Sequence, residues 1–139
     1  MSDKAKLIAG IILITIPTIQ YGGYFLLRLL SGKIKLPLTD FQKSMFRAGH
    51  AHAGVLVILA IIAQLLIDHV SASPFMEEFL RLGFPGAAIL VSGGFFASAS
   101  GKERTRPNSL IWILCAGVIL LAFVSIYLGV SLVVSRNGY

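Results

Sequence analysis

Four stretches of this chain carry no charged residue: 7–27, 48–67, 82–100 and 109–135. Each is close to, or beyond, the roughly 20 residues a helix needs to cross the hydrocarbon core of a bilayer. Water cannot satisfy backbone N–H and C=O groups there, so a spanning segment must be a helix or part of a closed barrel. The runs are continuously apolar, without strand-like alternation, and the pattern therefore predicts helices. With their flanks, the predicted spans are 7–30, 46–69, 80–100 and 109–134. The chain reads as all-α, a single four-helix transmembrane bundle over residues 1–139, with no length left for a soluble domain.

Composition agrees with a lipid solvent. Charged residues make up 13% of the chain, against about a quarter in soluble domains. The first run is longer than the roughly 7–15 residue core of a signal peptide and no small-x-small cleavage pattern follows it, so it reads as a retained helix. The single cysteine, Cys115, lies within the fourth run and reads as a small buried apolar residue. Phosphate-binding loops, dinucleotide glycine patterns, zinc-type cysteine pairs and internal repeats are absent. The net charge of +6 reflects membrane orientation, not nucleic-acid binding, in a chain this apolar.

Alternating helices place the first and third loops on one face, and the second loop and both termini on the other. The two-loop face holds Arg28, Lys33, Lys35, Lys43, Arg47, Lys102, Arg104 and Arg106, and the other holds Lys4, Lys6, Arg81 and Arg136. The positive-inside rule then predicts cytoplasmic first and third loops. A bacterial inner (plasma) membrane is the expected location.

The same alternation brings several polar and aromatic side chains to one membrane level: Tyr24 and Arg28; Arg47, His50 and His52; Phe95, Phe96 and Ser98; Asn108 and Trp112. Gln20, Tyr24 and Arg28 recur every four residues and form one stripe. A plainer reading of Tyr24 and Arg28 is a belt at the lipid headgroups.

The stretch FRAGHAHAGVLV, residues 46–57, holds two of the three histidines. At about 100° per residue, His50 and His52 point about 200° apart on a helix and do not chelate one metal together. The acids, Asp3, Asp40, Asp68, Glu77, Glu78 and Glu103, all fall at span ends or in loops. That argues against a carboxylate-bridged di-iron site, which needs inward-facing glutamates. It also weakens a proton pump relaying through buried acids. A site needing one histidine remains, and heme held by a single axial imidazole fits it.

Helical side chains lean toward the N-terminus, over the residues three and four positions earlier. Behind His52 these are Ala48 and Gly49, and behind His50 they are Phe46 and Arg47. A flat macrocycle needs open space beside its ligand, so His52 is the preferred iron ligand and His50 the second candidate. His52 shares a face with Val55, Leu56, Leu59 and Ala63, and His50 with Gly54, Gln64 and Asp68. The plainer alternative is that both histidines only hydrogen-bond near the membrane surface.

The stretch RAGHAHAG followed by an apolar helix resembles the start of the second helix of the styrene oxide isomerases, small four-helix membrane proteins that bind heme b. Ala51-His52-Ala53-Gly54 is similar to the family's AHSG, whose histidine ligates the iron, and Gly94-Phe95-Phe96 is similar to its Gly-Phe-Tyr on helix 3. The resemblance implies heme b on His52 and a homotrimer with heme between protomers. It also implies ferric iron acting as a Lewis acid on a small apolar epoxide, which isomerises to an aldehyde. The chain departs from the family at Phe96, where the family has tyrosine, and at Ile58, where it has asparagine six residues after the ligand. Heme binding is therefore expected more firmly than isomerase activity.

Propionates of such a heme would want cations at the membrane edge, and Arg28, Lys43 and Arg47 are at the correct end. Tyr24, Phe96 and Trp112 complete the expected cofactor contacts, with Trp112, Phe95 and Phe96 as candidates for stacking and an interfacial aromatic belt as the plainer reading. The helix 3 residues Gly86, Gly93, Gly94, Ala97 and Gly101 permit close helix approach or clear space for a ring. Pro17 and Pro85 are expected to interrupt helices 1 and 3. Two other function classes stay open: a non-catalytic heme protein for electron transfer, heme handling or gas sensing, and a cofactor-free accessory membrane subunit.

Overall fold

The computed structural model describes residues 1–135, and Arg136 of the charge count lies outside the described residues. It contains four helices, α1 Asp3–Leu30, α2 Asp40–Ile67, α3 Pro74–Ser98 and α4 Ile111–Ser135, and no strand among the described residues. All four are long and apolar enough to cross a membrane, the architecture of an integral membrane protein.

Three helices begin earlier than hydropathy predicts, α1 on a Ser2 cap that accepts from the Ala5 N–H, and capping chemistry is the reason for α2 and α3 too. Thr39 caps α2: its hydroxyl accepts from the Gln42 N–H, and the Gln42 side chain accepts from the Thr39 N–H. This reciprocal box satisfies two N–H groups that the first turn leaves free, so the polar segment 40–45 is already helical. Ser73 caps α3 by accepting from the Met76 N–H, and Pro74 takes the first helical position, where its missing N–H leaves no bond unmade. α1 stops at Leu30 because Gly32 adopts φ +74°, the left-handed conformation that glycine adopts without steric penalty.

α2 and α3 form the central pair. α1 packs on α2, α4 packs on α3, and α1 and α4 occupy opposite edges. The main core, with Ile12, Ala60, Ala63, Leu80, Phe84 and Val124 among its buried members, gathers all four helices toward the terminal side. A smaller cluster of Leu56, Ala88 and Val91, backed by Phe95 and Leu114, joins α2, α3 and α4 nearer the histidines.

The small residues of α3 serve helix contact. A Cβ on Gly94 would sit 2.5 Å from the Leu114 nitrogen, and one on Gly117 of α4 would sit 2.7 Å from the Val91 nitrogen. Backbones this close gain packing contacts that lipid tails cannot match. Gly93 has open space beside it.

Both helices run through their prolines. Pro85 lacks an N–H, so the carbonyl of Arg81, four residues earlier, has no helical partner. Gln64 of α2 supplies one: its Nε2 donates to the Arg81 oxygen at 3.0 Å. The Arg81 guanidinium, 1% exposed, donates to Asp68 at 2.6 Å, to Glu77 at 2.9 Å and more weakly to Gln64. The cation counted toward the terminal face is thus a buried, fully paired strut between α2 and α3.

Candidate functional site

The first and third loops meet on one face. Gln42 is buried and donates to the carbonyls of Ala99 at 3.0 Å and Gly101 at 2.8 Å, and the Thr39 hydroxyl donates to the Arg104 carbonyl. Asn108 folds the third loop back, donating to the Ala97 and Ser100 carbonyls and accepting from Leu110. These bonds hold the start of α2 against the end of α3, where both histidines lie.

The histidines occupy opposite sides of α2. His52 is exposed, and its Nδ1 lies 2.8 Å from the Ala48 carbonyl oxygen. A carbonyl only accepts, so this bond requires the proton on Nδ1. Nε2 then carries the lone pair, the tautomer a metal ligand needs. One face of the ring is covered by Phe95, with centroids 4.8 Å apart and planes 32° apart. Phe95 is itself wedged against the cluster of Leu56, Ala88 and Val91. The imidazole is therefore oriented by a backbone bond and an aromatic wall.

Gly49 does not leave the space beside His52 that its size suggests. A Cβ there would meet Phe96 Cε2 at 2.9 Å and the Ser92 carbonyl at 3.1 Å, so Gly49 lets α3 approach α2. The open surface beside His52 comes from Ala51, Ala48 and the exposed Val55.

His50 faces α1. Its ring rests on a glycine pair: a Cβ on Gly23 would fall 2.9 Å from His50 Nε2, and one on Gly22 would fall 3.5 Å from Nδ1. Gly54, Gln20 and Ile58 join it around a cleft of about 270 Å³. Ile58 thus lies with His50, on the other side of α2 from His52.

The remaining predicted site residues divide between these two sides. Tyr24 and Arg28 belong to α1, with the guanidinium 5.8 Å from the tyrosine ring, on the edge away from α4. Arg47 is exposed one turn before His50. Lys43 pairs with Asp40 at 3.3 Å. Phe96 packs on Phe46, centroids 5.5 Å apart, and is 39% exposed. Trp112 is 74% exposed at the start of α4, as suits an interfacial anchor. Within one protomer, His52 gathers Phe95 and Ala48 and does not gather Tyr24 or Arg28.

The sequence reading missed Gly22 and Gly23 as the seat of His50, and the Gln64–Arg81–Asp68–Glu77 network. The latter had a signal: Gln64 with Asp68, Glu77 with Arg81, and Arg81 with Pro85 are each four residues apart. Among the described residues no three His, Cys, Asp or Glu side chains gather as a metal-ligating group. Comparison with protein-family models, curated proteins and solved structures finds no match for this chain.

Proposed function

We propose that this protein binds heme b in the membrane through Nε2 of His52. The observation that carries the reading is the Nδ1 bond of His52 to the Ala48 carbonyl at 2.8 Å. With the proton on Nδ1, Nε2 keeps its lone pair for a metal, and the Phe95 contact limits rotation of the ring. The resemblance of RAGHAHAG to the heme-ligating segment of the styrene oxide isomerases points to the same histidine.

The surroundings fit an apolar macrocycle. Ala51 and Val55 flank His52 without charge, and the ring is exposed, so a porphyrin held by it would lie on the outside of a single chain. Enclosing it calls for a second copy, and a homotrimer with a shared site is our proposal for the assembly. In that arrangement Arg28 and Tyr24 come from a neighbouring α1, since both lie across α2 from His52 in their own chain.

Ferric heme bound there would supply a Lewis acid for opening a small apolar epoxide. The chain's own residues exclude water through Phe95 and Val55 but give the substrate oxygen no hydroxyl or amide. Phe96 packs on Phe46, and Ile58 faces the α1 side. These two positions favour the second reading, a heme protein for electron transfer, heme handling or gas sensing, over efficient isomerisation.

The test is an absorption spectrum of detergent-purified protein from heme-replete cells, paired with native mass spectrometry. The reading expects a Soret band and a trimer with about one heme per protomer. A colourless protein would defeat the cofactor assignment, and monomers retaining full heme would defeat the shared site.

A further inference from the structure

The side of α2 opposite His52 carries a second arrangement, distinct from the proposed iron ligand. Gln20 of α1 and His50 of α2 are each ten residues, about 15 Å, from the end of their helix on the same membrane face. Both lie in helices long and apolar enough to cross a membrane, His50 three residues past Arg47 and Gln20 eight residues before Arg28. Neither the Gln20 amide nor the His50 ring hydrogen-bonds to another described residue. Polar side chains that face lipid are unfavourable unless something pairs with them.

Both groups border one cleft. It holds about 270 Å³ between α1 and α2 and is walled by Ile16, Ile19, Gly54, Val57 and Ile58 beside Gln20 and His50. Ile19 and Val57 also wall a second cavity of about 280 Å³, which continues toward Pro85 and Ile89 of α3. The first is a trough with a polar end at Gln20 and His50, and the second, across Ile19 and Val57, is apolar. Gly22 and Gly23 seat the His50 ring, and Gly54 leaves the head end open.

The lining chemistry selects a ligand class. No cation borders either cavity, so a phosphate headgroup has no counter-charge. A neutral imidazole offers one N–H and a glutamine amide offers two, so the head end suits carbonyl oxygens. The trough suits a flexible apolar tail running toward the middle of the bilayer. We propose that the α1–α2 cleft binds a neutral, carbonyl-headed lipid of the isoprenoid quinone class, with Gln20 and His50 donating to its head.

Decylubiquinone titrated into the protein in nanodiscs tests this by calorimetry. Saturable binding near one per protomer is expected, at least tenfold weaker in Gln20→Leu and in His50→Leu and unchanged in His52→Ala. Gln20 is exposed and supports no packing, so Gln20→Leu keeps the fold and remains informative if His50→Leu does not. Absence of saturable binding, parent-like affinity in both cleft variants, or equal binding of decylbenzene, which has the tail without carbonyls, would overturn the proposal. So would dissociation of the oligomer by Gln20→Leu, which would assign the cleft to a second copy, or loss of heme in His50→Leu with heme retained in His52→Ala.

Discussion

Gln64 and Arg81 hold α2 and α3 together through a bond that a proline makes necessary. The amide of Gln64 donates at 3.0 Å to the Arg81 carbonyl, whose usual partner would be the N–H that Pro85 lacks. The Arg81 guanidinium then reaches Asp68 and Glu77. One residue thereby joins a helix defect to a charge network at the membrane edge.

Removing that bond should cost stability without moving the histidines. Gln64→Leu leaves a buried carbonyl unpaired, a loss of about 1–3 kcal/mol. Arg81→Met leaves Glu77 without a cation and Asp68 with only the N-terminal amine at 3.6 Å, and should cost about 3 kcal/mol, the low end for a broken buried pair. Thermal unfolding in detergent followed by circular dichroism measures both. A Gln64→Leu protein as stable as the parent would show that the carbonyl finds another partner.

Asp68 gives the network a pH signature. Partial burial pushes its carboxyl up, but hydrogen bonds from Arg81 and Ser2 outweigh burial and hold it well below the ordinary carboxylate range. A folded-state value below the unfolded one contributes stability that is fully present above the unfolded pKa, about 3.9, and is lost as pH falls toward the folded value. Stability should therefore be insensitive to Asp68 above about pH 5 and fall below about pH 4. Melting curves across this range should lose part of their acid slope in Asp68→Asn, and an unchanged slope would refute the linkage.

Gly94 and Gly117 set the α3–α4 distance. Alanine at either position places a Cβ against backbone, not against the end of a flexible side chain. Each substitution should destabilise by about 1–3 kcal/mol, whereas Gly93→Ala, facing open space, should be neutral. Equal melting temperatures for Gly94→Ala and Gly93→Ala would contradict the close contact.

Much of this architecture is written in hydropathy. The charge-free runs locate four helices because the bilayer leaves the backbone few alternatives. The starts of α2 and α3 are not in that signal. They depend on Thr39, Gln42 and Ser73, which act one hydrogen bond at a time. The opposite directions of His50 and His52 follow from helix periodicity, but their neighbours do not. Gly49 reads as empty space in sequence and is filled by Phe96. Phe95 and Phe96 are adjacent and equivalent in sequence, and only the rotation of α3 decides that Phe95 meets His52. Likewise Ile58 follows His52 by six residues yet turns toward α1.

Catalysis follows from the same placement. With Phe96 packed on Phe46 and Ile58 across the helix, no protein hydroxyl or amide at these positions holds an epoxide oxygen. Oxidised, heme-loaded protein should form phenylacetaldehyde from styrene oxide weakly or not at all, as followed by gas chromatography. Vigorous turnover would show that an open iron site in apolar surroundings is sufficient.

Ligand substitution tests the central claim most directly. Heme content is measured from the Soret absorbance of parent, His52→Ala and His50→Ala proteins, with free imidazole then added to the His52→Ala protein during heme loading. The account predicts loss of the band in His52→Ala, its return with imidazole, and a smaller decrease in His50→Ala. Full heme in His52→Ala together with its loss in His50→Ala would contradict the assignment and move the iron to the α1 side of α2.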